Sequence, residues 1–250
     1  MNSFTVGAVA FVFMFGGAMA GMFLNRGLPN DHLRDDSRDV VKLAGGLIGT
    51  LAALVLGLLI ASGKGYYDTQ STELTHMSAD IVVLDQCLAH YGSETAGVRD
   101  SLRKTVTGVI EQSRAAHHSV IASLNLAARA DTLYDQIQAL EPKNDAQRAL
   151  QSQSLAMAVS LGRTRWLLYE QASLSVSKPL LVVMVFWLMV TFAIWGVLAP
   201  ANKTLVVTMC IAALSASGAI YLMLEMYEPY HGLIQVSDAP LKAALAQLGR

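Results

Sequence analysis

The sequence predicts an all-α, polytopic membrane protein with four transmembrane helices and a helical soluble bundle inserted between the second and the third. Three observations predict it. Hydrophobic residues make up 53% of the 250-residue chain and charged residues only 15%, against about a quarter charged in ordinary soluble domains. Four apolar runs come close to the roughly twenty residues that cross a bilayer as a helix. The polar stretch between the second and third runs repeats its apolar residues at helical spacing and has no strand-like alternation.

The first apolar run, Ser3 to Leu24, holds no charge. Its Ala18-Met19-Ala20 resembles a signal-peptidase site, but no positive charge precedes the run and its apolar stretch is too long for a signal-peptide core. It is therefore expected to stay as the first transmembrane helix, with Gly16, Gly17 and Gly21 forming a small face. The segment after it balances Arg26, Arg34, Arg38 and Lys42 against Asp31, Asp35, Asp36 and Asp39. Pro29-Asn30 signals a turn there, and Asp36 or Ser37 is placed to cap the next helix.

The second run, Leu43 to Ser62, is also uncharged. Wound as a helix it gathers Gly45, Gly46, Gly49, Ala52, Ala53 and Gly57 on one side, with Thr50 at the edge, and Leu47, Leu51, Leu54 and Leu58 on the other. Small residues let another backbone approach, which is what holds helices together in lipid. Gly45, Gly46, Gly49, Thr50, Ala53 and Gly57 thus form either a helix-packing face or the lining of an oligomer axis or pore.

Beyond Gly63-Lys64-Gly65 the composition turns polar. Leu74, Met77, Ile81, Leu84, Leu88 and Tyr91 follow each other at spacings of three and four, a heptad-like seam. It ends at Gly92-Ser93, where Ser93 is placed to cap a helix carrying Val98, Leu102, Val106 and Val109. A third helical stretch is expected from about Val120 to Leu140. Asn144 with Gln147 makes a capping-box start for a fourth, which carries Leu150, Met157, Leu161 and Leu168. Eleven basic and twelve acidic residues between Lys64 and Lys178 nearly cancel.

Pro179 opens the third span, Leu180 to Ala199, and Pro200-Ala201-Asn202-Lys203 joins it to the fourth, Thr204 to Leu224. Such a short link favours an antiparallel pair. The expected organisation is spans 1 and 2 in residues 1–63, the soluble bundle in 64–177 and spans 3 and 4 in 178–226. A C-terminal tail with a short amphipathic helix follows in 227–250. Four spans put both termini on the same side as the bundle. Basic residues flank both sides about equally, so the positive-inside rule does not orient the chain.

A net charge of −1 removes the electrostatic footprint of a nucleic-acid binder. Cys87 and Cys210 are too few for a disulfide scaffold. The six histidines include no pair four apart and no carboxylate cluster beside them, and the adjacent His117 and His118 are read as solvated or core residues, so no metal or other cofactor is expected. Neither a nucleophile elbow nor a nucleotide-binding loop is present, and the chain is not expected to be an enzyme. The remaining candidates are charges near the membrane. Arg34, Asp35, Asp36 and Arg38 at one end, and Glu225 and Glu228 at the other, are candidate charged pore mouths. For Glu225 and Glu228 the alternative is a place in an interfacial belt beside Tyr221, Tyr227 and Tyr230.

Several motifs together are specific: LPNDHLRDDSRDVV at 28–41, GGLIGTLAALVLGLL at 45–59, LDQCLAHYG at 84–92, WLLYEQ at 166–171, LAPANKT at 198–204 and LEMYEPYHGLIQVSDAPL at 224–241. Over essentially the whole chain they resemble the bacterial bestrophin-like domain integral membrane proteins. The label points to bestrophins, pentameric anion channels with four spans and a helical cytosolic region between the second and third. The second helix departs from the bestrophin pattern, presenting glycine and alanine where bestrophins carry bulky apolar and aromatic residues. The resemblance implies a multi-pass protein of the bacterial inner membrane, with its bundle and both termini cytoplasmic. The expected partners are the lipid bilayer, further copies of the chain and inorganic ions. The leading expectation is an oligomeric ion channel. Its rival is a non-conducting sensory or interaction protein that relays signals through the bundle, with the heptad seam as a partner surface.

Overall fold

The computed structural model describes residues 2–27, 35–115, 127–172, 177–199, 202–228 and 233–249. The described residues are helical, with short turns and no strand: α1 (Ser3–Gly27), α2 (Asp35–Tyr91), a 3-10 turn (Ser93–Thr95), α3 (Ala96–Ala115), α4 (Ala127–Gln138), α5 (Asp145–Ala172), α6 (Lys178–Leu198), α7 (Lys203–Met226) and α8 (Ala239–Gln247). Four of them, α1, α2, α6 and α7, are long and apolar enough to cross a membrane. The fold is that of an all-α polytopic membrane protein. At 57 residues, α2 has more than twice the length a bilayer needs, and its one charge-free run of spanning length covers residues 43–63. The helix runs through Gly63-Lys64-Gly65 unbroken, because glycine without proline weakens a helix but does not end it. It also begins ahead of the expected caps, so Asp36 and Ser37 lie within its first turn.

The chain forms two compact units, and the first comprises residues 1–65 and 175–227. Its centre is α1, which packs on both α6 and α7. A side-chain carbon added at Gly21 would lie 2.1 Å from the Ala193 carbonyl oxygen, and one at Gly196 would lie 2.2 Å from that of Ala18. Each glycine therefore seats the partner's backbone, in the reciprocal manner of Cα–H···O contacts between close helices. Towards the start of α1, Gly7 meets Tyr221 and Ser217 of α7, and Phe4 lies edge-on to Tyr221 with ring centroids 6.5 Å apart. Met14, Ala18, Met184, Ala213 and Ile220 fill the interior. The α1 small face expected from Gly16, Gly17 and Gly21 is real at the last two. Gly16 has open space beside it.

The second unit comprises residues 66–174 and 228–250. Every member of the seam from Leu74 to Tyr91 except Tyr91 joins one core with Val98, Leu102, Val106 and Val109 of α3, and Tyr91 is buried too. Leu168 of α5 and Leu241 and Leu248 near the C-terminus join the same core, so the short last helix is seated in this unit. The corner after α2 differs in detail from expectation. Gly92 takes φ 137°, a conformation that side chains disfavour. Ser93 then starts a 3-10 turn in place of capping α3. Buried Thr95 closes the corner, its hydroxyl within hydrogen-bonding reach of the Gly92 and Leu88 carbonyls. The capping box at α5 forms: Asn144 Oδ1 accepts the Gln147 N–H at 2.8 Å. Gln147 Oε1 accepts the Lys143 N–H, one residue earlier than in the usual box, while its Nε2 donates to the Tyr91 carbonyl. The first part of the third expected helix, and His117 and His118 ahead of it, lie outside the described residues.

Buried Asp85, 4% exposed, ties three segments of this unit together. The Arg99 guanidinium donates to both its oxygens at 2.7 and 2.8 Å, and the Gly249 N–H donates at 3.2 Å. Burial alone would raise the Asp85 carboxyl, but the Arg99 hydrogen bonds, the Gly249 N–H and the Arg99 charge outweigh it and hold it below its ordinary value. Asp85→Asn is expected to cost roughly 2–3 kcal/mol, less than a fully buried pair because Arg99 keeps some solvent contact. The sign of the pH effect follows from the depressed folded value. The pair's contribution is complete above about pH 4, where the unfolded carboxyl is ionised, and is lost on acidification through the lower folded value. Chemical denaturation of wild type and variant at neutral and acid pH checks this, the gap between them closing as pH falls.

Candidate functional site

The site candidates on α2 fall on two adjacent faces, not one. At about 100° per residue, Gly45, Gly49, Ala52, Leu59 and Gly63 share a face turned into the unit. A side-chain carbon at Gly45 would come within 2.9 Å of Ile194, and one at Gly49 within 3.3 Å of the Thr191 methyl, both on α6. Gly63 in turn receives the Tyr227 ring. Thr191 sits there without an orphaned hydroxyl, since it donates to the Trp187 carbonyl. Gly45 and Gly49 thus lie against α6, and Gly63 against the end of α7.

The neighbouring face holds Gly46, Thr50, Ala53 and Gly57, all exposed. No described atom lies within 4 Å of a side-chain carbon built at Gly46 or Gly57. The Thr50 hydroxyl donates back to the Gly46 carbonyl at 2.9 Å, and its oxygen keeps the acceptor capacity of a hydroxyl. On the same helix face the exposed Asp39–Lys42 ion pair, 2.8 Å, lies towards one end and Lys64 towards the other. The Leu face is distinct again: Leu47, Leu54 and Leu58 are 61–64% exposed, as side chains in acyl chains should be. The side expected to hold all the small residues therefore divides. Gly45 and Gly49 lie against α6, while among the described residues nothing covers Gly46, Thr50, Ala53 and Gly57.

The charged candidates separate as well. Arg34 and the side chains of Asp35 and Asp36 lie outside the described residues. Arg38 donates from its guanidinium to the Leu198 carbonyl, the last residue of α6. A cation at a helix C-terminus satisfies its carbonyl and its dipole, and Asn25 reaches the next carbonyl, Ala199. Glu225 is 4% exposed within the first unit, one turn after Tyr221 on α7. Glu228, by contrast, is exposed in the second unit. Tyr230 lies outside the described residues. Sequence reasoning had no signal for Arg38 as a cap on α6, because the pairing joins residues 160 apart. Among the described residues no three of His, Cys, Asp and Glu come together as a metal site requires.

Four membrane-crossing helices, with a helical bundle inserted between the second and third, define a class of polytopic α-helical membrane protein. The chain belongs to the Bestrophin-like domain family, whose family model matches residues 12–241. Comparison with curated proteins and with solved structures gave no match.

Proposed function

We propose that the chain is one subunit of an oligomeric ion channel in the bacterial inner membrane, with its bundle and both termini in the cytoplasm and no enzymatic role. The observation that carries this reading is the uncovered face of Gly46, Thr50, Ala53 and Gly57. In lipid, a strip with no side-chain bulk loses dispersion contacts unless another backbone or a water-filled space lies against it. The chain's own helices use the adjacent strip, so further copies are the natural partners. Arranged about an axis, the strips leave room along it, and Thr50 supplies a ring of hydroxyl oxygens at membrane depth, a group suited to replace part of an ion's hydration shell. Membership in the Bestrophin-like family supports a channel on the same layout.

The pair at one end of the strip does not set a sign, because Asp39 and Lys42 neutralise each other. A sensory role that docks a partner on the heptad seam has less support, since that seam is buried in the bundle's own core. The test is ionic current from the purified protein in planar bilayers, together with the mass of the assembly. Current from an assembly of several copies supports the channel. A silent monomer under varied ions, voltage and pH contradicts it.

A further inference from the structure

Helices α1 and α7 touch where Gly7 meets Tyr221. Towards the other end they leave a cleft of about 710 Å³ lined by Met19, Met22, Phe23, Val206 and Val207, with Arg26, Asn202 and Lys203 at its rim. Both cations are exposed, and among the described residues neither forms an ion pair with a carboxylate. The cleft has the two-part chemistry of a lipid. Its wall is apolar, formed by Met19, Met22, Phe23, Val206 and Val207, and its rim holds two positive charges where α1 ends and α7 begins. The α7 N-terminus adds its partial positive charge at the same place, with Asn202 Oδ1 capping the Leu205 N–H.

The geometry points to a binding site for an anionic phospholipid, one acyl chain lying in the cleft and the phosphate between Arg26 and Lys203. Charge complementarity selects the occupant. Any lipid can fill an apolar groove open to the bilayer, but a zwitterionic headgroup brings a cation of its own up to Arg26 and Lys203, whereas a net-negative one does not. This site stands apart from the α2 strip and holds whether or not the protein conducts.

The test uses the full-length protein stripped of lipid in detergent and titrated with phosphatidylglycerol or with phosphatidylcholine of the same acyl chains. Bound lipid per chain is read by native mass spectrometry. Phosphatidylglycerol is expected to bind about twenty-five-fold more tightly, each cation contributing about fivefold. The double variant Arg26→Gln/Lys203→Gln, which alters only exposed side chains, should bring the two lipids to near-equal affinity. Val207→Phe, which fills the groove, should weaken both. Equal affinities in the wild type, or a preference that survives the double variant, would overturn the assignment. So would phosphatidylglycerol binding untouched by Val207→Phe, since the chain would then sit elsewhere. Displacement of the lipid by excess inorganic phosphate would reveal a soluble-anion site and overturn it too.

Discussion

Replacing Gly21 or Gly196 by alanine is expected to prevent the membrane unit from assembling. One added carbon at either position would sit 2.1–2.2 Å from a main-chain carbonyl oxygen of the facing helix, far inside van der Waals contact. The obstruction is backbone, so no side-chain rotation relieves it and α1 must move off α6. Overpacking in a tight interior costs about 1–3 kcal/mol even where side chains can adjust, and here about 3 kcal/mol or more is expected at each position. That is a large part of the stability of an ordinary domain. Gly16→Ala is the matched control on the same helix. With nothing within 4 Å, it should be neutral or slightly stabilising through helix propensity. Detergent-solubilised yield and thermal unfolding of the three variants check the contrast. Normal yield and unfolding for Gly21→Ala would show that α1 and α6 do not pack as described.

The second large effect separates the two faces of α2. Gly45→Leu drives a side chain into Ile194 and is expected to destabilise the chain itself. Gly46→Leu and Gly57→Leu add bulk where no described atom of another residue's side chain or of a neighbouring helix lies within 4 Å. They should leave its thermal stability within about 0.5 kcal/mol, as for other unburdened surface changes. Their effect falls on the assembly. If copies meet along the Gly46–Gly57 strip, leucine there separates the backbones or fills the space between them, and either way most of the current disappears. Parallel measurements of unfolding, assembly mass and current distinguish the faces. A current unchanged by both leucines would remove this strip from any conduction path.

Much of the fold was legible because helix periodicity and span length are local properties of a sequence. The Leu74 to Tyr91 seam recurs at spacings that place it on one side of a helix, and that side is buried. Asn144 and Gln147 meet because a capping box closes within a single turn. The division of the α2 glycines was not legible. In lipid neither a small nor a large apolar residue is driven inward by water, so composition marks a smooth face without saying which part is covered. Gly45 and Gly46 differ only by the 100° that turns one towards α6. Arg38 on the end of α6, Asp85 beside Arg99 and Gly249, and the cleft between α1 and α7 all join residues distant in the chain, and a spacing rule carries no trace of them.

The most direct test of the channel reading places a single cysteine on each face of α2 in a background with Cys87 and Cys210 replaced, and applies a charged thiol reagent during current recording. Ala53→Cys lies on the exposed small strip, and Leu54→Cys, one residue on, lies on the exposed leucine face. The account predicts that the reagent alters current through Ala53→Cys channels and leaves Leu54→Cys channels unchanged. Modification of current at Leu54→Cys with none at Ala53→Cys would contradict it.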